Sequence, residues 1–156
     1  MLVTFYADCI PLYLVDTKNK AIALSHAGWK GTVNDMVGCT IKAMQKAYGT
    51  DPKDLFVAIG PGICQDCYEV SEALALEFEK AFPNNYQKIV HHNHEGKYFL
   101  DLCEANHQRF LNMRVPRSQI AVGNICTSCN QEYLFSHRAS GGKRGNMAAF
   151  LSLELV

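Results

Sequence analysis

Residues 2–31 read LVTFYADCIPLYLVDTKNKAIALSHAGWKG and contain three short runs rich in Val, Ile, Leu and aromatic residues. The runs cover residues 2–6, 10–15 and 20–25, and the Asp-Thr-Lys-Asn sequence at 16–19 is typical of a turn. This pattern predicts an antiparallel hairpin preceded by a further strand. Because a hairpin folds the chain back on itself, we expect Cys9, before the first strand of the hairpin, to lie near His26, at the end of the second.

Beyond the hairpin, apolar residues recur at spacings of three and four, as on one face of a helix. They predict a helix of about four turns from Val33 to Tyr48 with Gly49 as its cap, a second helix capped by Ser71, and a third that runs from Asp101 to about Met113. Short strands are predicted at residues 55–59, 98–100, 120–122, 133–136 and 148–153, and a polar surface loop at 84–96. Strands, hairpins and helices that alternate in this way favour the α+β class.

Length, charge and the first residues limit the class of protein. A chain of 156 residues suffices for one domain whose core needs neither a disulfide nor a metal to fold. Fifteen Lys and Arg residues balance fifteen Asp and Glu residues, whereas proteins that bind nucleic acid gather positive charge. The sequence shows no signal peptide and no apolar run long enough to span a bilayer. We therefore expect a cytoplasmic protein without nucleic-acid or membrane partners, whose seven cysteines are thiols or metal ligands.

Cys9 and His26 form the first candidate site. Thiolate sulfur and imidazole nitrogen are preferred ligands of zinc, and a catalytic zinc ion takes three protein ligands and leaves one position open. The same pair without a metal suits a nucleophile and its general base. A buried free cysteine beside a hydrogen-bonded core histidine explains these residues equally well, so the spacing leaves all three interpretations open.

Two Cys-x-x-Cys pairs, Cys64 with Cys67 and Cys126 with Cys129, form a second candidate. Two such pairs can bind a structural zinc ion, but compact zinc ribbons keep roughly 15–20 residues between the pairs, and the separation here is much longer. Neither pair lies in the strand-to-helix setting of a thioredoxin redox motif. The sequence alone therefore favours reduced thiols that line loops over either functional role.

Residues 137–145, His-Arg-Ala-Ser-Gly-Gly-Lys-Arg-Gly, are basic and glycine-rich. Guanidinium groups match phosphate oxygens, and glycines let the backbone approach an anion closely. The segment lacks the spacing of a P-loop, and a solvated hairpin loop explains it equally well. A separate group, His91, His92 and His94, is more typical of a solvated loop than of a metal site.

Several motifs together resemble those of one known family. They are Ala7-Asp8-Cys9-Ile10-Pro11, His26-Ala27-Gly28-Trp29-Lys30-Gly31, Ala58-Ile59-Gly60-Pro61-Gly62-Ile63-Cys64, Cys67-Tyr68-Glu69-Val70, Leu100-Asp101-Leu102 and Ser136-His137-Arg138. On these motifs, the chain resembles over essentially its whole length the YfiH-type laccase-domain family. Members of that family are called laccase-domain proteins, polyphenol oxidases or purine nucleoside phosphorylases. The resemblance implies an α+β fold with layered α/β/β/α architecture and mixed sheets, and a single metal site with one cysteine and two histidines.

The metal site that the resemblance implies includes Cys9 as the cysteine ligand and His26 as the second histidine ligand. The family's first histidine precedes the Ala-Asp-Cys motif, and no histidine stands there in this chain. The resemblance therefore implies that residues 1–156 form a single laccase domain, truncated at its amino-terminal end. Its metal site is expected to be one ligand short unless water or another chain supplies it. A homo-oligomer, in which a partner chain covers open strand edges, is a further expectation.

The activity that the resemblance implies is phosphorolysis of purine nucleosides, namely adenosine, inosine and S-methyl-5'-thioadenosine, at a zinc site. Deamination of adenosine is expected as a side activity. Cys9, His26 and Asp8 are then the catalytic residues, with Asp8 as an orienting group or a proton carrier. The alternatives are an inactive or binding-only protein and a copper-dependent polyphenol oxidase, although such copper centres need several histidines that converge on more than one metal.

Phosphate is expected to bind Lys30, Arg138 and Arg144. Lys30 stands where the family commonly has arginine, a change that keeps the charge but loses the bidentate fork. The family's usual Thr-Gly-Arg near the carboxyl end appears here as Lys143-Arg144-Gly145-Asn146, and we interpret Arg144 as a shifted replacement of that arginine.

Overall fold

The computed structural model describes residues 1–154 of the chain. The predicted hairpin is present in it: β2 (Ile10–Asp16) pairs antiparallel with β3 (Ala21–Ala27), and β1 (Leu2–Tyr6) precedes it. Asp16 fixes the turn, because its buried carboxylate accepts hydrogen bonds from the backbone N–H groups of Lys18 (3.1 Å) and Asn19 (2.9 Å). The turn residues therefore set the register of the hairpin.

The central sheet has four strands in the order β3-β2-β4-β8. Strand β4 (Leu55–Ile59) pairs antiparallel with β2, and β8 (Ile120–Val122) pairs parallel with β4. The chain therefore leaves β4 and β8 at the same edge of the sheet. Two smaller antiparallel sheets join β1 to β9 (Met147–Leu151) and connect β5 (Glu69–Val70), β7 (Tyr98–Leu100) and β6 (Val90–His92).

Five α-helices are present within residues 1–154: α1 (Trp29–Val33), α2 (Met36–Tyr48), α3 (Glu72–Ala81), α4 (Tyr86–Ile89) and α5 (Leu102–Asn112). The prediction of one helix from Val33 was wrong, because Asp35 has a left-handed backbone (φ 58°) and separates α1 from α2. Its carboxylate instead caps α2 by accepting the N–H of Gly38 at 3.1 Å. The predicted caps at Ser71, Asp101 and Gly49 are all present.

Two further local predictions were wrong. Residues 84–96 contain α4 and β6 rather than a plain loop, because Ile89 and Val90 are buried and supply the apolar contacts for both elements. Residues 133–136 form no strand. The N–H groups of Tyr133 and Leu134 both donate to the carbonyl of Asn130, which makes a turn.

The core lies between the central sheet and the helices that pack against it. Ile10, Leu12 and Leu14 on β2 are fully buried, as are Ile41 on α2 and Phe110 on α5. Within residues 1–154, no helix has the length and apolar character needed to cross a membrane.

Candidate active site

Asp8 lies just before β2 and connects three distant segments. Its buried carboxylate accepts hydrogen bonds from the hydroxyl of Thr127 (2.6 Å) and the backbone N–H of Arg138 (2.7 Å), and its carbonyl accepts the N–H of Ile63 (2.9 Å). The backbone is left-handed at this residue (φ 79°), a conformation that is strained for a residue with a side chain. Both carboxylate oxygens are engaged with protein groups, so the geometry suits Asp8 to positioning its neighbours.

Cys9 follows Asp8 and packs closely against the end of β3. A side chain at Gly28 would place its Cβ 2.8 Å from Cys9 Sγ, so the glycine of the His-Ala-Gly-Trp motif leaves room for the thiol. Burial raises the pKa of Cys9, and the charge of Asp8 raises it further, whereas Arg144 acts in the opposite direction. The thiol is therefore protonated near neutral pH unless a metal replaces the proton.

His26 lies on β3 opposite Pro11 of β2. Gly28, which Cys9 Sγ approaches, lies one residue beyond the end of β3 and two residues after His26, whose side chain is exposed. The imidazole packs on Tyr6 with their ring centroids 4.9 Å apart. Desolvation lowers the pKa of His26 and favours the neutral ring, which is the form that binds a metal or accepts a proton.

A cavity of about 350 Å³ opens beside Cys9. All six motifs that carry the family resemblance contribute to its lining, together with the basic segment at 137–145. Within residues 1–154, the lining consists of Ala7, Asp8, Cys9, Trp29, Ile63, Tyr68, Leu102, His137, Arg138 and Arg144. The fold thus brings together four residues that the sequence singled out, namely Asp8, Cys9, Arg138 and Arg144, whereas His26 and Lys30 lie outside this lining.

Two arginines of the cavity lining and the nearby Lys30 supply positive charge at this site. The Arg138 guanidinium carbon lies 5.1 Å from the centre of the Tyr68 ring, and its Nη1 donates to the carbonyl of Glu69 at 2.8 Å. Lys30 is exposed, and its Nζ lies 5.3 Å from the centre of the Trp29 ring. Arg144 Nη1 donates to Asn146 Oδ1 and to the carbonyl of Gly145. Two guanidinium groups therefore border the space next to Cys9.

Six lining residues were not predicted as site residues, and three of them, Trp29, Tyr68 and His137, carry aromatic rings. Each one lies inside a motif that carried the family resemblance, and that position was the available signal. Composition and periodicity could not single them out, because an aromatic residue beside glycine or cysteine is equally compatible with a core position. Burial raises the pKa of Tyr68, against the opposing charge of Arg138, so its phenol stays neutral.

A second cluster of possible metal ligands lies at the edge where β4 and β8 end. The sulfur atoms of Cys64, Cys67, Cys126 and Cys129 all lie within 4.8 Å of one another, so this group could hold a metal ion. The fold therefore joins the two Cys-x-x-Cys pairs despite their long separation in sequence. The histidines of the 91–94 segment are exposed and lie outside this cluster.

Comparison with known proteins identifies the family. The fold is a mixed α+β architecture with a cysteine-containing cavity beside the central hairpin. Residues 1–154 match the family described as multi-copper polyphenol oxidoreductase laccase, and the chain belongs to that family. The resemblance stated from the motifs is thus confirmed.

The relatives include proteins named for purine chemistry. Purine nucleoside phosphorylase YlmD of Geobacillus stearothermophilus is 36% identical over 151 residues, which are 97% of this chain and 55% of that protein. A protein named adenosine deaminase RL5, from an unknown prokaryotic organism, is 35% identical over 139 residues, 89% of this chain and 53% of its own length. The chain spans about half the length of these curated relatives.

Solved structures share the fold. The crystal structure of the hypothetical protein YfiH of Bacillus licheniformis matches with a TM-score of 0.89 at 33% sequence identity, over 94% of this chain and 55% of that one. The α+β class with mixed sheets is therefore confirmed.

Proposed function

We propose that the cavity beside Cys9 binds purine nucleosides and catalyses their phosphorolysis, with adenosine, inosine and S-methyl-5'-thioadenosine as substrates. Deamination of adenosine is proposed as a side activity. The observation that carries the proposal is that one cavity is lined by the Cys9 thiol, the aromatic rings of Trp29 and Tyr68, and the guanidinium groups of Arg138 and Arg144. The names of the relatives, a purine nucleoside phosphorylase and an adenosine deaminase, support it.

Trp29 and Tyr68 supply the surface for the purine base. Flat aromatic side chains stack on bases, and they accept any purine because each has a π-face. The cavity volume of about 350 Å³ lies in the lower part of the range of about 300–1,000 Å³ in which small-molecule sites fall. This size favours a nucleoside over a dinucleotide or a longer nucleic acid.

Arg138 and Arg144 supply the surface for phosphate, with Lys30 as a more distant cation. Within residues 1–154, the buried Nε of Arg144 has no hydrogen-bond partner, so this guanidinium retains donor capacity for an anion. In phosphorolysis, a phosphate oxygen forms a bond to the anomeric carbon of the ribose as the bond from that carbon to the base nitrogen breaks. Two arginines would hold the phosphate for this attack and offset its charge.

Cys9 and His26 are the residues that would hold a metal at this site. They are the donor types that zinc prefers, and they lie at the same end of the β2–β3 hairpin, with Cys9 just before β2 and His26 near the end of β3. When bound, a zinc ion supplies Lewis-acid activation of water, which is the chemistry that deamination needs. Asp8 would act by holding the backbone of Cys9 and the segment of Arg138 in place.

Copper-dependent oxidation of phenols is the second candidate function, and the description of the family favours it. The Cys9 site offers one thiol and one imidazole, a donor pair that suits zinc as well as copper. Metal analysis together with oxygen uptake separates the two candidates. Stoichiometric copper and oxygen consumption with a phenol would put oxidation first.

The proposed function is tested by incubating the folded, zinc-loaded chain with each nucleoside, with and without phosphate. We expect each nucleoside to release its base only when phosphate is present. We expect adenosine to release ammonia also when phosphate is absent. Absence of both activities in a folded, zinc-loaded sample would contradict the proposal.

We also infer a cytoplasmic location, because all seven cysteines lie within the described residues as free thiols.

A further inference from the structure

We propose that Cys64, Cys67, Cys126 and Cys129 bind one zinc ion in a closed, four-thiolate structural site. This site is separate from the Cys9 cavity, and the proposal does not depend on the proposed function. Four protein ligands leave no open position for water or substrate, so the role of such a site is to hold segments together.

The distances between the sulfur atoms fit a tetrahedral zinc site. Cys129 Sγ lies 4.0 Å from Cys64 Sγ and 3.5 Å from Cys67 Sγ, and all four sulfur atoms lie within 4.8 Å of one another. Zinc–sulfur bonds of about 2.3 Å in a tetrahedron place neighbouring sulfur atoms about 3.8 Å apart. A disulfide needs a sulfur–sulfur distance of about 2.05 Å, so the cluster has the spacing of a metal site.

The backbone brings the two Cys-x-x-Cys pairs together before any metal is considered. Each pair follows a strand of the central sheet, β4 or β8, and these strands are parallel neighbours. Beyond them, the N–H of Gly62 donates to the carbonyl of Ile125 at 3.2 Å, and the N–H of Thr127 donates to the carbonyl of Gly62 at 3.0 Å. Beyond the end of the β4–β8 pairing, an isolated parallel bridge between Gly62 and Cys126 thus joins the two segments beside the first cysteine of each pair.

Backbone N–H groups also point at the sulfur of Cys126. The N–H of Cys64 donates to this sulfur at 3.2 Å, and the N–H of Cys129 donates to it at 3.4 Å. Hydrogen bonds of this kind orient a ligand sulfur and offset part of the negative charge that four thiolates bring to one ion. Both bonds come from the cysteine loops themselves, so the loops have the conformation that ligation needs.

The four-cysteine cluster lies next to residues that form or support the Cys9 cavity. The first pair is flanked by Ile63 and Tyr68, which line the cavity, and the second pair encloses Thr127, which donates to Asp8. Zinc at the cluster would therefore stabilise the cavity without contacting a substrate.

Metal analysis of purified variants tests this proposal. The double variant Cys9→Ser, His26→Ala lacks the donors of the Cys9 site, and we expect it to retain about one zinc ion per chain. We expect Cys126→Ser combined with Cys129→Ser in that background to lower the zinc content about tenfold or more. Cys39→Ser, at an exposed cysteine outside the cluster, is the matched control and should leave the zinc content unchanged. Full zinc content after loss of both cluster cysteines would overturn the proposal.

Two measurements on the unaltered chain keep the test decisive if the cluster variants fail to fold. Replacement of zinc by cobalt should give the intense charge-transfer absorption of thiolate ligation. Alkylation followed by mass spectrometry should find the four cluster cysteines protected until a chelator is added, with Cys39 reactive throughout. Disulfides within the cluster, or rapid alkylation of all four cysteines without a chelator, would overturn the proposal.

Discussion

Asp8 stabilises the fold through its carboxylate, in spite of an unfavourable backbone conformation. We expect Asp8→Ala to lower the free energy of unfolding by about 2–4 kcal/mol, because the buried Thr127 hydroxyl and the part-buried Arg138 N–H lose their acceptor while the left-handed strain remains. Asp8→Gly should cost about 1 kcal/mol less, because glycine adopts this backbone freely. Urea unfolding of both variants measures the difference. Equal stability of Asp8→Ala and the parent would contradict the role of this carboxylate.

Asp16 makes the stability of the hairpin depend on pH. Burial alone would raise the pKa of Asp16, but hydrogen bonds from Asn19 and Lys18 outweigh it and hold the pKa below its ordinary value of 3.8. A lowered pKa stabilises the fold above the unfolded-state value, and this contribution is lost as the pH falls through the folded-state value. We expect the free energy of unfolding of Asp16→Asn to be about 1–3 kcal/mol below that of the parent at about pH 7. This difference in free energy should become smaller at about pH 3. Urea unfolding at both pH values measures this difference, and a difference in unfolding free energy that stays constant with pH would contradict this account.

Arg144 is the residue at which the phosphate proposal is most readily tested. If the cavity performs phosphorolysis, Arg144→Met should raise the KM for phosphate about tenfold, since loss of a charge-assisted contact costs about 1.4 kcal/mol. The KM for the nucleoside should change much less. Arg117→Met, at an exposed arginine outside the cavity, is the control and should leave both constants unchanged. Equal effects of the two substitutions would contradict a phosphate-binding role for Arg144.

At the scale of elements, the sequence predicted best those elements that local chemistry defines. The hairpin, β4 and the helix caps follow from turn residues and short apolar runs, and these act within a few positions. The break at Asp35 was not predicted, because the apolar period continues through it. The burial of Ile89 and Val90 was not predicted either, since it depends on distant contacts that the polar flanking residues conceal.

Gly49 offers a direct test of a local rule at the end of α2. Its backbone is left-handed (φ 69°), and a Cβ would meet no atom within 4 Å, so the cost of a side chain is purely conformational. We expect Gly49→Ala to lower the free energy of unfolding by about 1–2 kcal/mol, and Gly49→Asn to lower it by less. Thermal or urea unfolding measures both. An alanine variant as stable as the parent would show that the cap contributes nothing.

At the scale of the whole molecule, the residues of both candidate sites come from segments far apart in sequence. The motifs identified Cys9, Arg138 and Arg144, but only the fold shows that one cavity joins them. The sequence favoured reduced loop thiols over a zinc site at the two Cys-x-x-Cys pairs, since their approach depends on the parallel pairing of β4 with β8, which no local pattern indicates. Short-range chemistry thus predicted the elements, and long-range pairing created the sites.

The central claim is that the cavity beside Cys9 is a site of purine nucleoside phosphorolysis. The most direct measurement is chromatography of the products that the folded, zinc-loaded chain forms from inosine and phosphate, with Cys9→Ala as the site variant and Cys39→Ala as the matched control. We predict hypoxanthine and ribose 1-phosphate in equal amounts from the parent and the control, and neither product from Cys9→Ala. Hypoxanthine with free ribose, undiminished turnover by Cys9→Ala, or no conversion by the parent would contradict the claim.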